Sequence, residues 1–266
     1  MASFSVVNNV AAANAQANLV QTNMGLKTAL QRLSSGLRIN SSGDDAAGLT
    51  VANSYRSKVA VLNQGIRNAN DGLSTLQIKD GALNNISNLL DRLSTLASQA
   101  ASSASTIDRT KLNAEFASVL LEIDREANVA GLNTATQFSV FVSNDGVNGV
   151  VGGAIAAADT GGLGISSLNV ASAFSAAAAV ASIASAIGLL GTSQGNVGAL
   201  QNRLTFAVGL AQSQAVNNTA ADSRIRDANI AEESASMTKY NILTQSGIAA
   251  LSQANQSSQS VLSLLR

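Results

Sequence analysis

The stretch LNQGIRNANDGLSTLQIKDGALNNISNLLDRLSTLA, residues 62–97, decides the fold class of this chain. Its apolar side chains recur at steps of four and three, with one lapse near Asp80. The residues that form this series are Leu62, Ile66, Ala69, Leu73, Leu76, Leu83, Ile86, Leu90, Leu93 and Ala97. Such a heptad seam predicts one long helix, from about Asp45 to about Ala100, that packs against partner helices. We therefore predict a mainly α protein, a long helical coiled-coil or bundle rod.

Breaks and caps divide the rest of the N-terminal half into further helices. Gly36 interrupts a helix that begins near the N terminus, and Asp44 and Asp45 precede the long helix. We interpret these two carboxylates as helix caps rather than a metal pair, because negative charge is stabilised at a helix N-terminus. Asp108 is predicted to cap another helix, which ends before Gly131.

A short middle segment differs from its surroundings. Apolar residues alternate over 137–142, and Asn144-Asp-Gly146 is typical of a tight turn, which predicts a small β-hairpin. Val147 to Ile155 is the expected returning strand.

The next segment, residues 171–191, is rich in Ala and free of charge. We interpret it as a closely packed helix rather than a membrane span, since Ala and Ser insert weakly and no basic residues flank it. From about Asn196 to the end we expect helix again, with Gly209 and Gly247 tolerated inside it.

The residue types that are missing restrict the chemistry. The 266 residues include no Cys, His, Trp or Pro. Without Cys and His, ordinary zinc, haem and iron–sulfur sites and His-activated nucleophiles cannot be built. We expect no cofactor, no metal and no enzymatic activity, although carboxylate-only catalysis and oxygen-ligated Mg²⁺ stay open. Charge is balanced, at 16 basic and 16 acidic residues, and no basic patch indicates nucleic acid.

Both ends of the chain are free of charge. Residues 1–26 and 240–265 contain no Asp, Glu, Lys or Arg, and the first of these also lacks the pattern of a secretory signal peptide. Such helices would be marginal alone in water, so we predict that they pair and then bury against neighbouring copies. The candidate packing residues are Val6, Val10, Leu19, Leu26, Ile242, Leu243, Ile248, Leu251, Val261 and Leu265.

Several long motifs resemble the signatures of bacterial flagellins. In the N-terminal half these are Leu30 to Asn40, Asp44 to Gly48, Ile66 to Gly72 and Leu120 to Arg125. Near the C terminus they are Ala199 to Leu204, Ser223 to Ala228 and Ser260 to Arg266. The resemblance covers roughly residues 1–135 and 195–266, in order, which makes it far more specific than any single short motif.

The resemblance implies a domain arrangement. Residues 1–43 and 230–266 would form the inner coiled coil of a filament, and residues 44–135 and 195–229 a surrounding helical rod domain. Residues 136–194 would hold the small β-hairpin and the Ala-rich helix. The outer domain of the family would then be essentially absent.

The resemblance also implies a function, namely a structural subunit that self-assembles into the bacterial flagellar filament used for swimming. The expected partners are further copies, the hook-junction and cap proteins and an export chaperone, with neither nucleic acid nor membrane. The expected location is extracellular, after type III export without a cleaved signal peptide. The hook–filament junction protein of the same family is the alternative function, and a secreted adhesin or immune ligand is a third.

Three residues match positions at which family members contact the host Toll-like receptor for flagellin: Arg92, Leu96 and Glu115. Ser94 and Thr95 stand where a second Arg and a Glu are common in the family. Because Ser lacks the bidentate donor that Arg supplies, we expect weak receptor recognition. A contact between subunits is the alternative role for the three residues.

Overall fold

The computed structural model describes residues 8–102, 108–143 and 146–264. Within these residues the chain forms long helices and one small antiparallel sheet, so the predicted mainly α class with a β-hairpin is confirmed. In chain order the elements are α1 (Val10–Ser35), α2 (Ala46–Ala101), α3 (Arg109–Val129), β1 (Thr136–Phe141), β2 (Val150–Ile155), α4 (Ala173–Arg226) and α5 (Ile230–Leu264).

The elements group into two units. Unit 1 combines the described residues up to Ser57 with those from Asn218 onward, and unit 2 is Lys58–Asn217. Unit 1 therefore draws on both ends of the chain, whereas unit 2 is a continuous segment. The hairpin and the Ala-rich helix both belong to unit 2.

In unit 1, α1 and α5 pair along their lengths in opposite directions. The Asn9 side-chain amide near the start of α1 donates to the Ala254 carbonyl near the end of α5, at 3.0 Å. The same Asn9 caps α1, because its side-chain oxygen accepts from the Ala12 N–H. At the other end of α1, Gly36 adopts a left-handed conformation, φ 71°, and its N–H returns to the Arg32 carbonyl.

The two carboxylates before α2 have separate tasks. Asp45 caps the helix, since it accepts from the Gly48 N–H at 2.8 Å. Asp44 holds the preceding loop by accepting from the backbone N–H groups of Asn40 and Ser41, at 3.0 and 2.9 Å. The backbone donor of Ser41 and then that of Asn40 lower the pKa of the Asp44 carboxyl below its ordinary value.

In unit 2, the heptad seam of α2 faces the core as predicted. Eight of its ten positions are buried, and the other two, Ile66 and Leu73, are half-buried. At about 84 Å for 56 residues, α2 is the longest element, and α3 packs on it through Phe116, Ile123 and Ala127. Asp108 caps α3 by accepting from the Lys111 N–H. The chain leaves α3 through Gly131, at φ 64°.

The hairpin of unit 2 lies against α2. Its register runs from Thr136 opposite Ile155 to Phe141 opposite Val150. The predicted returning strand starts later than Val147, because Gly146–Gly149 forms a single 3₁₀ turn. The turn residues Asn144 and Asp145 lie outside the described residues.

One difference from the sequence prediction concerns α4, which is a single helix over Ala173–Arg226 rather than two segments. Its buried residues step by three and four through the glycine-containing region, so one seam runs through it. Those residues are Ala176, Ala179, Ile183, Ala186, Leu190, Ser193, Val197, Leu200, Leu204 and Ala211. By length and composition α4 could also cross a membrane, because one 18-residue window has a mean hydropathy of 2.0. The buried seam explains the same apolar composition by packing within a helix bundle.

A second difference is a break that the sequence prediction missed, between α4 and α5. Around it, Arg38 N–H donates to the Arg226 carbonyl at 2.6 Å and Ala228 N–H donates to the Gly36 carbonyl at 2.9 Å. Helix α5 then restarts with the Asn229 side chain accepting from the Ala231 N–H. The N-terminal and C-terminal segments of unit 1 are thus joined by backbone hydrogen bonds at this break.

Candidate assembly surfaces

Small residues bring α1 and α5 of unit 1 into close contact. A Cβ placed on Gly25 would lie 2.5 Å from the Tyr240 ring, and one on Gly247 would lie 2.7 Å from a methyl carbon of Leu19. Each glycine therefore leaves room for a large side chain of the opposite helix. The two contacts lie six residues apart on α1 and seven residues apart on α5, so together they fix the register of the pair.

One ion pair joins the same two helices. Arg32 Nη1 on α1 lies 3.1 Å from Glu233 Oε1 on α5. The Arg32 and Glu233 side chains are 31% and 14% exposed, so the pair is partly shielded from water. Glu233 also stands in the first turn of α5, where the helix dipole favours a negative charge.

The helix pair buries little of its own apolar surface. In the described residues of α1 only Ala29 is buried. Eight larger apolar side chains of the two helices are instead 42–63% exposed: Val10, Val20, Met24, Leu30, Ile230, Ile242, Leu243 and Ile248. This number of exposed apolar side chains on two paired helices makes the pair a candidate interaction surface.

The predicted packing residues fall into three groups. Leu19, Leu26 and Leu251 are half-buried. Val10, Ile242, Leu243 and Ile248 are exposed and belong to the apolar surface of the helix pair. Val6 and Leu265 lie outside the described residues, and of Val261 only the helical backbone is described. Their burial between subunits stays a prediction.

The three candidate contact residues are brought near one another in unit 2, but only two are at the surface. Arg92 Nε lies 3.0 Å from Glu115 Oε1, so the two exposed side chains are paired within the chain. Leu96 is only 1% exposed and packs in the core between the helices. The residues are therefore close together, and their role in a contact stays a prediction.

A buried lysine in unit 2 was not singled out from the sequence. Lys79 is 9% exposed, and its Nζ donates to the carbonyls of Ala130 and Gly131 at 3.0 and 2.7 Å. These carbonyls end α3, where a positive charge is favoured by the helix dipole. Burial lowers the pKa of the Lys79 ammonium. Its only sequence signal was the lapse of the heptad seam beside Asp80.

Large apolar side chains also protrude from unit 2. The most exposed is Phe174 in the first turn of α4, at 87%. Phe206 and Leu210, further along α4, are exposed as well. Beside Leu210, a cavity of about 150 Å³ opens between α4 and the hairpin.

Among the described residues, no group of three or more Asp and Glu side chains could hold a metal ion. Some ion pairs lie within a single helix, such as Arg125 with Glu122 and Glu126 on α3. Hydrogen bonding to Arg125 lowers the pKa of the Glu122 carboxyl. The prominent surface features of the described residues in both units are thus apolar.

Comparison with known proteins identifies the family of the chain. The family model for the bacterial flagellin N-terminal helical region matches residues 6–140, and that for the C-terminal helical region matches residues 180–265. The chain belongs to the bacterial flagellins. It is a subunit of the flagellar filament.

Curated flagellins align with this one over nearly their whole length. Flagellin FlaB1 of Treponema pallidum is 35% identical, and the flagellar filament 33 kDa core protein of Treponema phagedenis is 37% identical. The flagellin of Halalkalibacterium halodurans is 35% identical, and all three alignments cover 97% of this chain and 98% of the relative. These names favour the filament over the hook–filament junction.

Among solved structures, the crystal structure of Bacillus cereus flagellin is similar at a TM-score of 0.48 and 27% identity. The match covers 59% of this chain and 94% of that structure.

Proposed function

We propose that this flagellin polymerises by burying the outward apolar faces of α1 and α5 against neighbouring copies, so that these helices form the inner tube of the filament. The observation that carries the proposal is the exposed apolar surface of the helix pair. Burial of apolar area is worth about 25 cal/mol per Å². Residues 10–26 of α1 and 240–264 of α5 carry no charge, so no ion on these segments has to be desolvated when their surface is covered.

Buried polar atoms in unit 1 support the same proposal. Within the described part of the chain, Arg32 Nε, Asp222 Oδ1 and Arg226 Nε are buried and have no hydrogen-bond partner. Buried polar groups are almost always satisfied in native structures. Water or groups of a neighbouring subunit would complete these three in the filament.

The proposal assigns the remaining segments of the chain to the rod and its outer face. In this proposal residues 1–43 and 230–266 build the core, residues 44–135 and 195–229 the rod, and residues 136–194 its outer face. Identical contacts repeated between copies generate an open helical lattice, as a filament requires. The function is structural, with no catalytic step.

The other proposed partners are proteins that would export the subunit and assemble it outside the cell. An export chaperone would cover the apolar face of α5 before assembly, and hook-junction and cap proteins would meet the same helices at the filament ends. The proposed location is extracellular. Recognition by a Toll-like receptor would be weak, because Arg92 and Glu115 pair with each other and Leu96 is buried.

Substitution on α5 tests the proposal. Ile242→Asn places an amide on the exposed apolar face, and Gln245→Asn, three residues away, keeps an amide where one already stands. We expect Ile242→Asn to raise the critical concentration for assembly about tenfold or more, while the control assembles normally. Sedimentation and electron microscopy measure both. Normal filaments from Ile242→Asn, or from a chain without α1 and α5, would contradict the proposal.

A further inference from the structure

Met24 places a thioether on the exposed apolar surface of the α1–α5 pair. Its side chain is 58% exposed, and Val20, one turn earlier on α1, is 53% exposed. The next residue, Gly25, faces the Tyr240 ring of α5. Neighbouring residues of a helix point about 100° apart, so Met24 is directed to the side of α1 rather than at α5. The sulfur is therefore open to solvent in the free subunit.

Methionine sulfurs are the main targets for mild oxidants in this chain. The sequence has three Met and no Cys or Trp. Met1 lies outside the described residues, and Met237 on α5 is half-buried. Met24 is thus the more exposed of the two methionines that the structure describes. A peroxide converts such a thioether to a sulfoxide, and methionine sulfoxide reductases reverse the change.

We propose that Met24 is an oxidation site that controls self-assembly: its sulfoxide keeps the subunit out of the filament, and reduction restores assembly. This regulation deepens the function proposed above and depends on it, because it requires that neighbouring copies cover the surface on which Met24 lies. The oxidant belongs to the peroxide class.

The reaction consumes one molecule of hydrogen peroxide for each sulfur. A lone pair of the Met24 sulfur attacks one peroxide oxygen, the O–O bond breaks, and an S–O bond forms. The sulfur loses two electrons, and the second oxygen leaves as hydroxide, which takes the proton from the new S–OH group and becomes water. No side chain of the protein has to act as acid or base, so access of peroxide to the sulfur is the only requirement.

The sulfoxide opposes assembly because it adds a strong hydrogen-bond acceptor to an apolar side chain. In the free subunit this oxygen is hydrated. An apolar face of a neighbouring copy removes that water, and a buried acceptor without a donor destabilises the contact. Val20 has no side-chain donor, and the Thr28 hydroxyl already donates to the Met24 carbonyl at 3.0 Å. The oxidised subunit therefore binds its neighbours more weakly.

The free subunit and the filament differ in their sensitivity to oxidant. The Met24 sulfur is exposed before assembly, and in the proposed filament it is covered. Oxidation consequently acts on subunits that have not yet polymerised and leaves completed filaments intact.

Partial oxidation of the unsubstituted, full-length chain tests the proposal. The free subunit is treated with hydrogen peroxide until part of Met24 is sulfoxide, the peroxide is removed, and assembly is started. Filaments and soluble protein are separated by sedimentation, and mass spectrometry of peptides measures the sulfoxide fraction at Met24 in each. We expect that fraction to be about tenfold lower in the filaments than in the soluble protein. Equal fractions overturn the proposal.

Peroxide added after assembly gives a second readout. We expect Met24 to be oxidised about tenfold or more slowly in filaments than in the free subunit, because covering the sulfur removes its access to solvent. Equal rates in the two states contradict the proposal. If the untreated chain forms no filaments at all, the function proposed above fails, which is a different result from filaments that contain oxidised Met24.

Leucine variants assign the effect to one sulfur. Met24→Leu keeps an apolar side chain of similar volume and should assemble within about threefold of the unsubstituted chain, with or without peroxide treatment. Met237→Leu is the matched control, and peroxide should block its assembly as it blocks that of the unsubstituted chain. Protection by Met237→Leu, or by neither substitution, overturns the assignment to Met24.

Two further measurements need no variant that resists oxidation. Met24→Gln places a polar acceptor at the same position and is expected to raise the critical concentration about tenfold without any oxidant. Treatment of the oxidised, unsubstituted chain with methionine sulfoxide reductases should restore assembly. Normal assembly of Met24→Gln, or a reduced chain that still does not assemble, counts against the proposal.

Discussion

Gly65 on α2 lies directly against the backbone carbonyl of Val142 at the end of the hairpin, and a Cβ on Gly65 would overlap that oxygen. The contact is to backbone, so no side-chain rotation can relieve it. Gly65→Ala must push the hairpin off α2. We expect it to lower the free energy of unfolding by about 2 kcal/mol or more, although Gly to Ala in a helix otherwise stabilises by about 1 kcal/mol. Chemical denaturation of the isolated subunit measures this.

Gly81→Ala supplies the matched control for that substitution. Gly81 is on the same helix, and nothing lies within 4 Å of the position its Cβ would take. This variant should gain about 0.5–1 kcal/mol from helix propensity alone. A Gly65→Ala subunit as stable as Gly81→Ala would mean that the hairpin is not seated on α2 as described.

The ion pair between Arg32 and Glu233 should hold α1 and α5 in register. Glu233→Gln leaves the partly buried Arg32 guanidinium without its anionic partner, which we expect to cost about 1–3 kcal/mol in the filament. The readout is the midpoint temperature of depolymerisation. Lys111→Met, which removes an exposed pair with Asp108, is the control and should change little. Equal effects of the two substitutions would rule out a special role for the shielded pair.

Acid should weaken the loop that Asp44 organises. Its carboxyl has a pKa below the ordinary 3.8, because backbone N–H groups stabilise the charged form. The unfolded chain then binds more protons between the two pKa values, so the stabilisation is present above the ordinary pKa and is lost as pH falls through the lowered one. Asp44→Asn lacks this titration. Below pH 3.8 the midpoint temperature of the unsubstituted chain should fall more steeply than that of Asp44→Asn, and parallel curves would contradict the assignment.

Lys79 should stabilise unit 2 through the end of α3. Lys79→Met keeps the apolar stem but leaves the carbonyls of Ala130 and Gly131 without their donor, which we expect to cost about 1–3 kcal/mol in chemical denaturation. Because burial lowers the pKa of Lys79, the unsubstituted chain should gain stability relative to the variant as pH rises through that pKa toward 10.5. A neutral variant effect at pH 7 would show that the carbonyls are satisfied by water instead.

Local periodicity explains why most of the fold was predictable. The seam from Leu62 to Ala97 is a property of consecutive residues, so it predicted α2 and its buried face without knowledge of the partners. Asp108 and Gly131 likewise marked both ends of α3, because capping chemistry acts over a few residues. The family motifs also predicted which segments belong to the terminal helices, the rod and the hairpin region.

Features that depend on distant residues were not predictable. The break after Arg226 is held by the Gly36 carbonyl and the Arg38 N–H, which lie nearly 200 residues away in the chain. Lys79 is buried only because the end of α3 folds over it. The burial of Leu96, placed among contact candidates by a family match, is set by the packing of its own helix bundle.

The division of the chain into units also sets an order of events. Unit 2 is one continuous segment, Lys58–Asn217, whereas unit 1 needs partners as far apart as Asn9 and Ala254, 245 positions along the chain. A chain that emerges from either end contains all of unit 2 before its last residues appear. The α1–α5 pair can form only when both of these helices are present. If filament growth uses this helix pair, as proposed above, we expect a subunit to join the filament only after its whole length is available.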